Sequence, residues 1–146
     1  MPYYRATDPF PLESADDTRL HEFYARLAER RLATTACARC GRVAWPPRGF
    51  CPECVSDEVA WIDLPGEGTV HAFSVQETGL PAGWEPPRVF AIVKVGTVRV
   101  FAPIVGPHAT RVTAGTRVRL APMRVDDDAK GNARHLVAFE PLEASS

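Results

Sequence analysis

The stretch CARCGRVAWPPRGFCPEC, residues 37–54, contains all the cysteines of this 146-residue chain. They form two Cys-x-x-Cys pairs, Cys37 with Cys40 and Cys51 with Cys54. Each pair directs two sulfurs from one tight turn, and two facing turns supply the four thiolates that tetrahedral Zn²⁺ prefers. The spacing therefore predicts a metal site made of these four residues.

Because the protein supplies every ligand of this predicted site, no position stays open for water or substrate, and we expect a structural ion. Zinc is favoured over iron, since residues 41–50 are too few for a whole rubredoxin core. Two disulfides are the alternative. The chain begins MPYYRATDPF, without an export signal, which favours a reducing compartment and free thiolates. Gly41 suits the first turn, whereas Val55 stands where a glycine often follows the second pair and leaves that turn open.

Length and charge limit the classes of function. A chain of 146 residues with 45% hydrophobic content can form one core plus a small metal module. The net charge of −1, with acidic and basic residues interspersed, weighs against nucleic-acid binding. No apolar run approaches the length of about 20 residues that spans a bilayer. We expect a soluble, cytoplasmic protein.

The segment before the cysteines predicts an extended arm and one amphipathic helix. Three prolines, Pro2, Pro9 and Pro11, lie in residues 1–15 and favour extended backbone. Residues 16–33 have apolar side chains at helical spacing, after a capping-box pattern at 14–17. This stripe has little of its own chain to pack on, so we expect it to contact a partner subunit. Its members are Leu20, Phe23, Tyr24, Leu27 and Leu32.

The second half of the chain alternates apolar and polar residues as strands do. Gly96-Thr97 separates two such runs as a tight hairpin turn. Five short strands with no strong helix between them predict a Greek-key barrel of the OB type, and a plain β-sandwich is the alternative. The predicted strands are residues 69–78, 89–95, 98–105, 117–125 and 135–139. The predicted organisation is an arm and helix (1–33), a zinc ribbon (34–62) and an OB-fold domain (63–146).

Residues 79–88, GLPAGWEPPR, form a loop between two of the predicted strands. Trp84 lies there between glycines and prolines, either as an anchor for a ligand or partner or as a cover for its own barrel. We select Arg48, Trp84, Pro87 and Arg88 as candidate residues for binding a ligand or a partner. No catalytic residue is selected, because the sequence lacks a phosphate loop, an HExxH, a Gly-x-Ser-x-Gly and any cysteine outside the metal pairs.

Several of these residues together resemble a known family. The run FYARLAERRLATTACARCGRVAWPPRGFCPEC closely resembles the acyl-CoA-associated zinc-ribbon/OB-fold proteins, long catalogued as domain of unknown function number thirty-five. The similarity covers roughly residues 20–142 and includes all four cysteines. Its other marks are Pro46, Pro47 and Arg48, then Trp61, Gly66, Gly68, Thr69, Val70, Pro87 with the strand after it, and the turn from Gly115 to Val118.

The resemblance implies a helix, a rubredoxin-like zinc ribbon and an OB barrel in a small, non-catalytic subunit. Such proteins accompany thiolase-superfamily enzymes, including thiolases and retro-aldolases of steroid or aromatic degradation, which implies an α2β2 hetero-oligomer acting on acyl-CoA. There the small subunit orders its partner and helps to line the path of CoA or the acyl group, which makes Arg48, Trp84, Pro87 and Arg88 candidates for binding CoA or the partner. The alternatives are a nucleic-acid-binding zinc-ribbon/OB module, and a stand-alone acyl-CoA binding protein in which Arg48 or Arg88 neutralises phosphates.

Overall fold

The structure is a computed structural model that describes residues 2–8 and 11–142. Pro9 and the ends of the predicted segments 1–33 and 63–146 lie outside the described residues. Within them the chain forms one α-helix, α1 (His21–Ala28), and ten strands. The strands are β1 (Tyr3–Tyr4), β2 (Ala33–Cys37), β3 (Val59–Asp63), β4 (Glu67–Gln76), β5 (Arg88–Val95), β6 (Val98–Ile104), β7 (Arg117–Leu120), β8 (Met123–Val125), β9 (Arg134–Leu136) and β10 (Phe139–Pro141).

Five strands close into a barrel in the order β10-β6-β5-β4-β7. Strand β10 closes it by pairing parallel with β6 and antiparallel with β7. The predicted hairpin at Gly96-Thr97 joins β5 to β6, with Val95 opposite Val98. A closed five-stranded barrel after a two-stranded ribbon, β2-β3, is the predicted OB-type architecture, so the barrel is confirmed and the sandwich alternative is wrong.

Strand alternation fills the barrel with valine and alanine. In β5, Val89, Ala91, Val93 and Val95 are buried, while the residues between them face outward and are half-buried or exposed. Gly68 lets β4 cross close to β5, because a Cβ there would lie 2.5 Å from the Lys94 carbonyl oxygen. The register shifts after Val70, and β4 is exposed from His71 to its end.

The last two predicted strands are each divided in the structure. Residues 117–125 supply β7 to the barrel and β8 to a second sheet of order β1-β8-β9, and residues 135–139 contribute to β9 and β10 in the same way. Both strands leave the barrel at one level, where the N–H of Ala121 donates to the Ala138 carbonyl oxygen at 2.8 Å. Pro122 follows without an N–H to continue the ladder, which explains the break.

The helix is shorter than the predicted range 16–33. Ser14 donates a hydrogen bond to the Asp17 carboxylate at 2.8 Å within a separate turn, so these residues do not cap α1. The helix ends where Arg30 enters the left-handed region, at φ 64°. No helix of the described chain is long and apolar enough to cross a membrane.

The apolar stripe of α1 packs on its own chain, so the expected contact with a partner subunit is wrong for this surface. Phe23 and Leu27 are buried in the barrel core, and the Phe23 ring meets Trp45 of the ribbon edge to face at 5.9 Å. On the polar side, the Asp63 carboxylate of β3 accepts hydrogen bonds from Arg26 and Arg31. The helix therefore joins the ribbon to the barrel.

The arm is extended, as predicted, and lies along the second sheet. Strand β1 pairs parallel with β8, with Tyr3 opposite Arg124, and the Tyr3 hydroxyl donates to Asp126. Ala6 is buried in a small apolar cluster beside this sheet. The cluster consists of Ala6, Val105, Ala121, Met123, Val125 and Ala138, with Tyr4, Trp84 and Leu136 packed against it.

Candidate metal centre and aromatic loop

The four cysteine sulfurs converge between the end of β2 and the start of β3. All four Sγ atoms lie within 4.8 Å of one another. Cys37 Sγ is 3.6 Å from Cys54 Sγ, and Cys40 Sγ is 3.5 Å from Cys51 Sγ. Thiolates at bond lengths of about 2.3 Å around a tetrahedral ion stand roughly 3.8 Å apart. The cluster therefore has the spacing of a four-thiolate metal site.

The two knuckles are built alike. After the second cysteine of each pair the backbone enters the left-handed region, at Gly41 with φ 78° and at Val55 with φ 61°. The N–H of each residue donates to the carbonyl oxygen of the first cysteine of its pair at 2.9 Å. Val55 thus takes the conformation that glycine takes in the first knuckle, although a β-branched side chain is strained there.

Backbone N–H groups stabilise the thiolate of the first cysteine in each knuckle. The N–H groups of Arg39 and Cys40 point at Cys37 Sγ from 3.3 and 3.4 Å, and the bond from Cys40 lowers the pKa of Cys37. The N–H of Cys54 likewise lowers the pKa of Cys51, to about 6. Metal binding requires deprotonated sulfur, so this donor set fits Zn²⁺.

The loop between the knuckles is tied to β2 by Thr35. The buried Thr35 hydroxyl donates to the Arg48 carbonyl oxygen at 2.8 Å and accepts from the Arg48 N–H at 2.9 Å. The backbone of Arg48 is therefore fixed against β2, although Arg48 as a whole is exposed to solvent. Among the described residues the structure records no contact between Arg48 and the other three candidate binding residues.

The tryptophan loop folds back over the outside of the barrel. Trp84 is half-buried and lies parallel to Phe90 of β5, with ring centroids 5.8 Å apart and planes at 4°. Gly83, at φ 86°, allows the loop to pass close to the arm, because a Cβ at this position would lie only 3.0 Å from the Arg5 carbonyl oxygen. Pro87 is exposed just before β5. The loop therefore covers its own barrel and leaves part of its surface free.

Arg88 lies between two aromatic rings. Its guanidinium carbon is 5.7 Å from the ring centroid of Tyr4 and 5.7 Å from that of Trp84, within the range of cation–π attraction. Its Nε is buried and has no hydrogen-bond partner among the described residues. Sequence reasoning selected Trp84 and Arg88 separately, and the structure brings them into contact with each other and with the arm.

A separate cleft opens between α1 and the β8-β9 hairpin. It has a volume of about 310 Å³ and its wall includes Glu13, His21, Tyr24 and His135. Both Glu13 carboxylate oxygens accept from the His135 N–H, at 2.9 and 3.1 Å. Burial raises the pKa of Glu13 to about 7. Sequence reasoning missed Glu13, because a single glutamate in an extended arm gives no sign of burial.

Family models match most of the chain. The ChsH2 rubredoxin-like zinc ribbon domain matches residues 25–60, which contain the four cysteines. The ChsH2 C-terminal OB-fold domain matches residues 61–121, which contain the tryptophan loop and most of the barrel. A DUF35 domain-containing scaffold protein of Methanocaldococcus jannaschii is 31% identical over 112 residues, which are 73% of this chain and 79% of that protein. The chain belongs to the DUF35 family.

Two solved structures resemble this DUF35 protein. A chain of the Ltp2-ChsH2(DUF35) aldolase aligns with a TM-score of 0.70 and 25% identity, over 90% of this chain and 98% of that chain. A DUF35 protein of unknown function from Sulfolobus solfataricus has a TM-score of 0.55 and 13% identity, over 83% of each chain, which supports the fold alone. The predicted family and the predicted zinc ribbon followed by an OB barrel are therefore confirmed.

Sequence reasoning also missed the rings that pack beside Trp84 in this DUF35 protein. Phe90 and Phe101 lie at outward positions of β5 and β6 and stack with centroids 5.8 Å apart. The sequence contained a sign of this surface, because the period-two alternation of both strands places Phe90 and Phe101 on the face of the sheet opposite to the buried valines. The alternation was used only to find the strands, so an aromatic surface was not predicted.

Proposed function

We propose that this DUF35 protein is a non-catalytic, zinc-containing accessory subunit of a thiolase-superfamily enzyme that cleaves or forms carbon–carbon bonds in acyl-CoA. The observation that carries the proposal is the likeness to a chain of the Ltp2-ChsH2(DUF35) aldolase. The alignment covers 98% of that chain and has a TM-score of 0.70. The kinship to a DUF35 scaffold protein supports a structural role. Within the described residues, the one metal-ligating cluster is the four-cysteine set, which leaves no position for a substrate.

In this proposal Cys37, Cys40, Cys51 and Cys54 hold Zn²⁺, and the ion fixes the two knuckles relative to β2 and β3. The complex is an α2β2 hetero-oligomer in the cytoplasm, and its larger subunit carries out the chemistry. Its substrate class is acyl-CoA, and the acyl group is selected by the larger subunit. The segment organisation is an arm and helix (1–33), the zinc ribbon (34–62) and the OB-fold domain (63–146).

The candidate binding residues divide into two places. Trp84 and Arg88 form one contact group beside Tyr4, and Pro87 adjoins it. The exposed Arg48 belongs to the ribbon. We assign the first group to the wall of the CoA or acyl path at the boundary with the partner, because Arg88 is a cation that suits phosphates and the neighbouring rings form an apolar wall. Arg48 supplies a second cation for the phosphates.

Co-expression with the thiolase-like gene nearest to this gene tests the proposal. We expect one mixed oligomer by size-exclusion chromatography with light scattering, carrying about one zinc per small chain by metal analysis of the same peak. The mixed oligomer should cleave or condense acyl-CoA, and the larger subunit alone should be unstable or poorly active.

The matched controls are the small chain alone and the complex with its partner's catalytic cysteine or base substituted. The small chain alone should lack activity, and the substituted complex should form without turning over. Separate peaks, together with a larger subunit that is fully active alone, would overturn the accessory role.

A further inference from the structure

One outward side of the barrel combines aromatic rings with cations. We define the aromatic face as Trp84, Phe90, Ile92 and Phe101 together with Arg88, Lys94 and Arg99. The alternation of β5 and β6 directs these strand residues away from the buried core. Phe101, with 68% of its surface exposed, is one of the most exposed large apolar residues in the described chain. Large exposed aromatic residues on a sheet are a feature of interaction surfaces.

The rings of the aromatic face form a rigid stack. Trp84 and Phe90 are parallel within 4°, and Phe90 and Phe101 within 8°, each pair with centroids 5.8 Å apart. Phe90 therefore packs against both neighbouring rings. Rigid aromatic side chains lose little conformational entropy when a partner covers them, which is why such residues dominate the energy of protein interfaces.

The charges of the aromatic face have one sign. Lys94 lies directly opposite Arg99 in the β5-β6 pairing, an arrangement of like charges that is unfavourable in an isolated sheet. Neither side chain forms an ion pair with any residue in 2–8 or 11–142. Strands β5 and β6 contain no aspartate or glutamate. A surface of opposite charge would relieve the repulsion between Lys94 and Arg99.

We propose that the catalytic subunit docks on the aromatic face, with an apolar patch over Phe101 and Phe90 and with carboxylates against Lys94 and Arg99. This inference rests on the proposed function and adds the place of contact and the chemistry of the partner's surface. Central rings with a charged rim are the arrangement found in specific protein interfaces.

Two other occupants fit the observations less well. A single-stranded nucleic acid needs a positively charged groove that follows its backbone, whereas this chain carries a net charge of −1. A second copy of this chain would present the same cations and no carboxylate from β5 or β6. A protein surface that is apolar and acidic satisfies both the rings and the charges.

The experiment measures binding of the intact small chain to the co-expressed catalytic subunit for three variants. Phe101→Ser removes the most exposed ring, Lys94→Glu/Arg99→Glu reverses both cations, and Arg19→Glu/Arg111→Glu is the charge-matched control on exposed residues outside the face. We expect the first two variants to weaken binding about tenfold or more, and the control to bind as the unchanged chain does. Thermal unfolding and zinc content confirm that each variant is folded.

The outcomes separate the two proposals. If the unchanged chain forms no complex, the proposed function fails and the docking face fails with it. If every variant binds equally well, the accessory role stands and the aromatic face is rejected as the contact. Retention of the unchanged chain on single-stranded DNA that Phe101→Ser abolishes, or a dimer of the small chain that Phe101→Ser dissociates, would also overturn the proposal in favour of those occupants.

Discussion

At the scale of single residues, the second cysteine knuckle contains a strained position. Val55 has φ 61° and is 72% exposed, so no buried contact holds its side chain in place. The left-handed conformation costs an L-residue roughly 1–2 kcal/mol, and glycine avoids that cost. The knuckle keeps this conformation because the N–H of Val55 must reach the Cys51 carbonyl oxygen.

We therefore predict that Val55→Gly raises the free energy of unfolding by about 1 kcal/mol, after glycine's own entropy cost is subtracted. The corresponding rise in Tm is roughly 3 °C, measured by calorimetry with zinc in excess. Gly41→Ala is the reciprocal variant and should lower the free energy of unfolding by a similar amount, because alanine is strained at φ 78°. An added Cβ would meet no atom within 4 Å, so the backbone conformation is the whole effect. Equal Tm values for both variants and the unchanged chain would contradict the strain argument.

Glu13 gives a residue-scale prediction of pH dependence. Its pKa of about 7 in the folded chain lies above the ordinary 4.5, so the native state binds more protons between these values. The stability that Glu13 contributes is fully present below pH 4.5 and is lost as the pH rises through 7. We expect a loss of about 1–2 kcal/mol, because water in the cleft screens part of the charge.

Glu13→Gln isolates this effect, because glutamine keeps an oxygen for the His135 N–H but does not ionise. Thermal unfolding from pH 5 to 8.5 should show the variant gaining stability relative to the unchanged chain as the pH rises. His135, whose pKa burial lowers, titrates in both proteins and cancels in the difference. Parallel stability curves for the two proteins would show that Glu13 does not titrate in this range.

At the scale of elements, the zinc ribbon depends on its metal more than the barrel does. The ribbon has only the β2-β3 ladder and one flanking bridge at Val43, whereas the barrel is closed by five strands. We predict that chelation of zinc, or Cys51→Ser, lowers Tm and unfolds residues 34–62 first. Amide hydrogen exchange should show early loss of protection in the ribbon, and β4 to β7 should stay protected. Simultaneous loss in both parts would contradict this order.

Elements differ in how well their sequence specifies them. The β5-β6 hairpin was predictable because its alternation and its Gly96-Thr97 turn are local signals. The start of α1 was not predictable, because Ser14 and Asp17 bond to each other in a separate turn. The division of residues 117–125 was missed, although Pro122 and a change in the buried positions mark it, from Val118 and Leu120 in β7 to Met123 and Val125 in β8. That the two runs belong to different sheets follows only from their tertiary pairing, of β7 with β10 and of β8 with β9.

At the scale of the whole molecule, the metal site was the most predictable feature and the binding surface the least. Two Cys-x-x-Cys pairs determine which sulfurs converge, whatever surrounds them. The aromatic face instead requires the loop at Trp84 and two barrel strands to meet, and its Arg88 also contacts Tyr4 of the arm. Contacts between distant segments leave no short pattern in a sequence, so Trp84 and Arg88 were selected without Tyr4, Phe90 and Phe101.

Arg88 permits a prediction that separates folding from assembly. The buried Nε of Arg88 has no acceptor, which lowers the stability of the fold. Cation–π attraction to Tyr4 and Trp84 raises the stability by a similar amount. We expect Arg88→Met to change the free energy of unfolding by less than about 1 kcal/mol, as measured by urea denaturation, yet to weaken the complex with the catalytic subunit. A variant that unfolds easily but binds normally when folded would assign Arg88 to stability alone.

The pairing of β1 with β8 has a consequence for the order of events during synthesis. Tyr3 pairs with Arg124, which is made more than 100 residues later. Strand β1 therefore has no partner until most of the chain has left the ribosome. The loop at Gly83 closes against Arg5, and Arg88 against Tyr4, only when this late pairing forms. The nascent chain therefore forms the contacts between the arm and the tryptophan loop late, after the ribbon and barrel strands β4 to β7 have been made.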